Sequence, residues 1–436
     1  MAATATHDSH EVKLPDATVD VAPIRKVALG AAVIGLGAWL IMGFINMGVD
    51  YAHGTREFFI SYLCGFIFWT SLPFGGLALM MLGLLTQATW AVIFRRIFSA
   101  AIRTLPVLAL LGVPVIVSLY IQEGKQSPYW WAEQSLDKPV DEVAKDLKIR
   151  PEAAEEMQHK IHDYLNPSFF IGRYVVYFLI LGTIAFFMLK WLRPYEDDNN
   201  LAMKHNLYGL SGPGVLVWAL VMAFFSTDWV MSVEPTWASS MFPIVFGMNQ
   251  FLTAITFSTL VFYTLTQGKS DLTAIIKDKF RIDIGTLTLA FCMIWAYASF
   301  CQFMLIWAGN LPEELTYYLK RGAGEERNDW LYLSYFLILC HWFIPFIVLL
   351  FRDIKLNPKS MRILAVGLLT VCAADIVFWI VPSMPHEKSM LHVPMAFAAI
   401  LGVGGVWGLA FVRELAKRPI LANNNEVKFM ATWGYH

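Results

Sequence analysis

The chain has 436 residues, of which 57% are hydrophobic, 15% aromatic and 15% charged, with a formal net charge of −1 and mean hydropathy +0.53. Soluble domains carry about 25% charged residues, so an ordinary soluble enzyme is excluded, and a neutral balance offers no basic surface to nucleic acid. The five cysteines (Cys64, Cys292, Cys301, Cys340 and Cys372) all fall in apolar stretches without a CxxC pair. This predicts reduced, packing thiols, with no disulfide framework and no zinc site.

Residues 1–26 form a polar tail containing Asp8, Glu11, Asp16 and Asp20. They lack the apolar core of a signal peptide, so the first span is expected to stay uncleaved. A helix of about 20 apolar residues crosses roughly 30 Å of hydrocarbon. Ten stretches meet that length: 27–47, 58–86, 104–121, 167–189, 207–230, 240–266, 284–308, 330–351, 363–381 and 391–412. Strand-like alternation is absent, so the predicted fold class is an all-α integral membrane protein, with one membrane domain over 27–412 and a short tail over 413–436.

Basic residues outside the spans set the expected orientation. With the N-terminus inside, that side holds 21 of them, including Lys13, Arg95, Arg96, Arg193, Arg281, Arg362 and Arg418. The other side holds 11, six of them in the long segment 122–166; its short loops add only Arg56, Lys320, Arg321, Arg327 and Lys388. Both termini are thus expected in the cytoplasm and 122–166 outside. That segment reads as an aromatic patch, Tyr129-Trp130-Trp131, followed by two short amphipathic helices, the second opened by Pro151. The patch suits an interfacial belt or, less well, a docking surface. His159 and His162 share a helix face and are read as solvated rather than metal-binding.

Formal charges inside the spans are few: Arg173, Asp228 and Asp375, joined by the imidazoles His341 and His392. An ion at mid-bilayer costs about 2.5–3.5 kcal/mol on insertion scales, so such groups face the bundle interior, a cavity or a partner. Arg173 and Asp228 both lie near the outer side, where an ion pair of purely structural value is as good a reading as a functional one. Asp375 stands 13 residues beyond Arg362 with no basic residue in its own span, and His341 lies mid-span in the preceding helix. Tyr297, Gln302 and Ser334 add polar side chains nearby in sequence terms. Together they suit a proton-conducting or quinone-head-group lining, and a hydrogen-bonded interhelical clasp is the alternative; for Tyr297, Gln302 and Ser334 alone, packing is the better reading. A transmembrane haem wants axial histidines paired across helices, which His341 and the end-of-span His392 do not supply. Gly404 and Gly408 form a GxxxG, which predicts close helix packing.

Three stretches carry a family resemblance: Thr227–Trp237 (TDWVMSVEPTW), Phe291–Leu315 and Trp330–Leu349 (WLYLSYFLILCHWFIPFIVL). With them the chain resembles the F-type membrane subunit of bacterial alternative complex III, a quinol:cytochrome c oxidoreductase quinone-binding subunit 2 of the NrfD/PsrC-like superfamily. The resemblance implies two four-helix bundles, spans 2–5 and 6–9, flanked by spans 1 and 10. It implies a multi-pass subunit of the bacterial inner membrane in a quinol-oxidising respiratory complex. Partners would be a sister NrfD-like subunit, an iron–sulfur subunit, c-type cytochromes, a terminal oxidase and membrane lipids. The c-type haems and iron–sulfur clusters would lie in those partners, and this chain would have no catalytic residue of its own, contact quinone or quinol at most, and contribute a proton route. His341 and Asp375 fall in the second bundle, as a proton route there requires. Two further classes remain open from the residues: a stand-alone secondary transporter, with Gly209–Gly214 as a polar break before span 5, and a structural membrane anchor.

Overall fold

The structure, a computed structural model, describes residues 17–133, 139–147, 150–269, 277–324, 328–383, 392–422 and 424–432. Asp8, Glu11, Lys13, Asp16, Arg327, Lys388 and the expected span start at 391 lie outside them. The described residues fold into helices: α1 (Ala22–Val49), α2 (Tyr51–Leu85), α3 (Thr89–Ile102), α4 (Leu105–Leu111), α5 (Val113–Ser118), α6 (Val140–Leu147), α7 (Pro151–Asp163), α8 (Pro167–Asp198) and α9 (Leu201–Trp229). There follow α10 (Phe242–Leu265), α11 (Asp278–Gly309), α12 (Pro312–Tyr318), α13 (Asp329–Leu337), α14 (Ile344–Leu350), α15 (Arg352–Leu356), α16 (Pro358–Ile380), α17 (Val393–Leu415) and α18 (Asn425–Thr432). Among the described residues, nine helical segments are long and apolar enough to cross a membrane, and a tenth forms if the bent pair α3 with α4–α5 is one span. The protein is therefore an all-α, multi-pass membrane protein by length and composition.

The two most buried spans, α2 and α10, pack on each other at the middle of the molecule. Helices α3–α5 and α9 pack on α2, with α8 beside α9; α11 and α16 pack on α10, with α14 against α11 and α13 against α16. The backbones of α2 and α10 touch closely: a Cβ on Gly75 would stand 2.5 Å from the Gln250 carbonyl oxygen. Helices α1 and α17 pair with one another and lie together against α2. Their contact is a seam of small residues, and the GxxxG glycines are closely packed, Gly408 on Ala28 of α1 and Gly404 on α2. Gly402 and Gly405 meet Gly35 and Ala32, whereas Gly404 is pressed by the Trp69 indole. Three-residue spacing selects the face: Gly402, Gly405 and Gly408 lie on one side of α17 and Gly404 a third of a turn away.

The third span differs from the expected 104–121. Helix α3 starts at Thr89, and the chain bends by 45° between Ile102 and Leu105 before α4–α5 continues. Pro106 and Pro114 remove backbone donors from this stretch. Carbonyls left over are taken by tyrosines: Tyr174 donates to Ala109 O (2.5 Å) and Tyr62 to Leu111 O (2.8 Å). Arg95 and Arg96, expected in a loop, are buried in α3. They are tolerated there because Arg95 reaches Glu426 at 2.7 Å and Arg96 reaches Glu196 at 2.9 Å. The C-terminal tail is consequently not free: α18 folds back against α3, with Glu426 as its anchor. The break expected at Gly209–Gly214 is likewise absent, since α9 runs through Pro213.

In the segment 122–166, α6 and α7 form as expected, with Pro151 in the first turn of α7. Two of the three residues of the aromatic patch are buried and Trp130 is half-buried. Tyr129 and Trp131 are buried against Phe170, and Tyr129 donates to Trp229 O at 3.0 Å, so they plug the end of the first bundle. His159 is exposed and His162 sits 2.8 Å from Asp163.

Candidate functional site

The second bundle brings Asp375 and His341 together. Asp375 lies on α16, about one and a half turns before its end. His341 lies on a π-helical turn, Ile338–Phe343, joining α13 to α14. The widening has a local cause: Pro345 has no N–H to return to the His341 carbonyl, and Ile344 N instead reaches Leu339 O. Both residues are fully buried, and His341 Nδ1 stands 3.7 Å from Asp375 Oδ2. That is an electrostatic approach and not a hydrogen bond.

Two other side chains bond the carboxylate. Trp295 of α11 donates its indole N–H to Oδ2 at 2.8 Å, and Asn249 of α10 donates its amide to the same oxygen at 3.0 Å. Asn249 also reaches Cys372 O at 3.2 Å, and Thr253 donates to Asn249 Oδ1 at 3.3 Å. The Trp295 and His341 rings stack with centroids 3.8 Å apart. Cys372 Sγ lies 3.8 Å from His341 Nε2, and Nδ1 is a buried nitrogen without a hydrogen-bond partner. Four helices thus meet at one carboxylate–imidazole pair, whose titratable atoms are shielded by an amide, an indole and a thiol. Such a centre can bind or pass a proton, and it equally ties the four helices together.

The other expected lining residues do not join it. Tyr297 is 67% exposed on the outer face of α11, two positions from Trp295 and so on a different side of the helix. Ser334 donates to the Trp330 carbonyl of its own helix at 3.1 Å. Gln302 is buried nearer the α11 end, 3.4 Å from the Tyr318 hydroxyl. Beyond Asp375, the end of α16 is closed by Arg321, a buried cation missed in the sequence because it follows α12 in a loop. It donates to the carbonyls of Phe378 (3.0 Å) and Trp379 (2.7 Å) and lies 3.5 Å over the Tyr317 ring. Cations at helix C-termini satisfy free carbonyls and complement the dipole. Burial there pulls the Arg321 guanidinium below its ordinary value and pushes the Tyr317 hydroxyl up to about 12.

In the first bundle the outer pair forms. Arg173 Nε bonds Asp228 Oδ2 at 2.7 Å, Tyr177 donates to the same oxygen at 2.5 Å, and the guanidinium lies 3.8 Å over the Tyr164 ring. His392 stands 3.1 Å from Glu57 at a helix end. No group of three metal-ligating side chains occurs among the described residues. No family model matches the chain, and no curated protein matches its sequence.

Proposed function

We propose that the chain is a membrane subunit of a quinol-oxidising respiratory complex of the alternative complex III type, and that its second bundle gives protons access through His341 and Asp375. The reading rests on the three resembling stretches and on one geometric observation: two titratable side chains 3.7 Å apart in a span interior, held by Asn249 and Trp295. Buried ionisable groups within spans are expensive and tend to mark ion or proton pathways. In this reading Asn249 and Trp295 hold the carboxylate in place while His341 exchanges a proton with it, and Thr253 extends the polar lining along α10. Arg321 and Tyr317 stand beyond Asp375 at the end of α16. The chain is the scaffold and proton path; iron–sulfur clusters and c-type haems belong to its partners, the chain contacts quinone at most, and the host membrane is the bacterial inner membrane with both termini in the cytoplasm. The basic balance of the loops supports that orientation.

A structural clasp is the second reading, favoured by the two donors on Asp375 Oδ2. The complex itself is tested by tagging the chain in its host, extracting it in mild detergent and recording a reduced-minus-oxidised spectrum. Haem bands are expected, and they must come from partners because the chain has no CxxCH. An intact preparation without haem would leave the transporter class as the better reading.

A further inference from the structure

We propose that a groove between the end of α10 and the start of α16 is a binding site for one anionic phospholipid. The groove has two halves that share Lys359 and Arg362. One half runs down the membrane-facing sides of the two helices over Leu260, Ile363 and Val366, and Ile363 and Val366 are 75% and 50% exposed. The other half opens at the helix ends, beside Tyr263, Gln267 and the Asn357–Pro358 start of α16. An apolar track beneath a polar mouth matches an acyl chain beneath a head group.

Charge decides which head group. Among the described residues, neither Lys359 nor Arg362 makes an ion pair and no carboxylate lines either half; Arg362 donates to the neutral Gln267 amide at 2.6 Å. Both cations also sit in the first five residues of α16, where the helix dipole is positive and basic side chains are disfavoured. Asn357 takes the Lys359 N–H at 2.9 Å and Pro358 has none, so the helix end contributes its field more than free donors. A phosphate at the mouth would neutralise all three positive sources at once. Tyr263 of α10 lines the mouth beside these groups. The apolar half selects a membrane phospholipid over free phosphate. The inference rests on the chain being a membrane protein and not on its place in a respiratory complex.

The test is native mass spectrometry of the full chain in mild detergent, with added phosphatidylglycerol or phosphatidylcholine of identical acyl chains. Wild type should retain phosphatidylglycerol in preference to phosphatidylcholine. The double variant Lys359→Gln/Arg362→Gln should lose about thirtyfold in affinity for it, as expected for two basic groups at an anionic surface. Arg25→Gln/Lys26→Gln, at the exposed start of α1, should not change its retention. Equal retention of both lipids, or a double variant that keeps phosphatidylglycerol as wild type does, overturns the proposal. So does displacement of the lipid by millimolar inorganic phosphate, which would mark a simple phosphate site.

Discussion

Trp295 touches both His341 and Asp375: it stacks on the imidazole at 3.8 Å and donates its indole N–H to the carboxylate at 2.8 Å. One side chain therefore sets the position of both titratable groups. Trp295→Phe keeps the ring on His341 but removes the donor. Hydrogen bonds to charged groups contribute about 1.5–3 kcal/mol, and a loss of that size is expected in thermal unfolding of the detergent-solubilised chain. Trp295→Ala should cost more, since it also empties the stack; a Trp295→Phe variant as stable as wild type would show that the indole N–H contributes nothing.

In the first bundle, Arg173 and Asp228 are both buried and bonded at 2.7 Å. Removing one partner strands a buried charge, which costs about 3–5 kcal/mol, whereas replacing both by apolar groups is often neutral. Arg173→Met should thus be strongly destabilising and Arg173→Met/Asp228→Leu close to wild type. Unfolding curves for the two singles and the double measure the coupling directly, and additive losses would contradict a structural ion pair.

The docking of α18 should depend on pH through Glu426. Burial raises this carboxyl, but the Arg95 charge, bonds from Tyr195 and Arg95, and the Lys204 charge outweigh it, so Glu426 lies below its ordinary value of 4.5. A lowered carboxyl contributes stability that is complete above pH 4.5 and lost as pH falls through the folded-state value. Hydrogen exchange across α18 should accelerate only below that pH in wild type and be fast at every pH in Glu426→Gln. Pairing with Arg95 makes the second half of the expectation sharp, because the amide cannot be protonated into or out of the contact.

Close approach of α1 and α17 offers a steric test. A Cβ on Gly405 would stand 2.1 Å from Ala32 N, while one on Gly408 would meet Ala28 Cβ at 3.1 Å. Overpacking of this kind costs about 1–3 kcal/mol. Gly405→Ala should lower the melting temperature and Gly408→Ala should leave it nearly unchanged.

Hydropathy located the nine described helices long and apolar enough to cross a membrane, because a bilayer demands long apolar runs, and it failed where charge was buried with a distant partner. Arg95 and Arg96 interrupt the apolar pattern, so the third span was expected to start at 104; their partners Glu426 and Glu196 are too far along the chain for local reading. The same contrast holds at the candidate site. His341 and Asp375 stood out because ionisable groups are costly in spans. Asn249 and Trp295, which actually bond the carboxylate, are ordinary in such helices and carried no signal. Tyr297 was expected in the lining since it is polar, but helix rotation turns it outward and Trp295 inward. Sequence supplies residue types at a depth, and only packing assigns the face.

The most direct measurement compares wild type and Asp375→Asn in the purified complex reconstituted into vesicles, following quinol oxidation and proton movement together. Asparagine retains the shape of the Asp375 side chain and cannot carry a proton. A proton path through this residue predicts wild-type haem content and assembly with a lowered proton-to-electron ratio or a slowed turnover. Unchanged rate and unchanged ratio in the variant would contradict the proton route and leave His341, Asp375, Asn249 and Trp295 as a clasp between four helices.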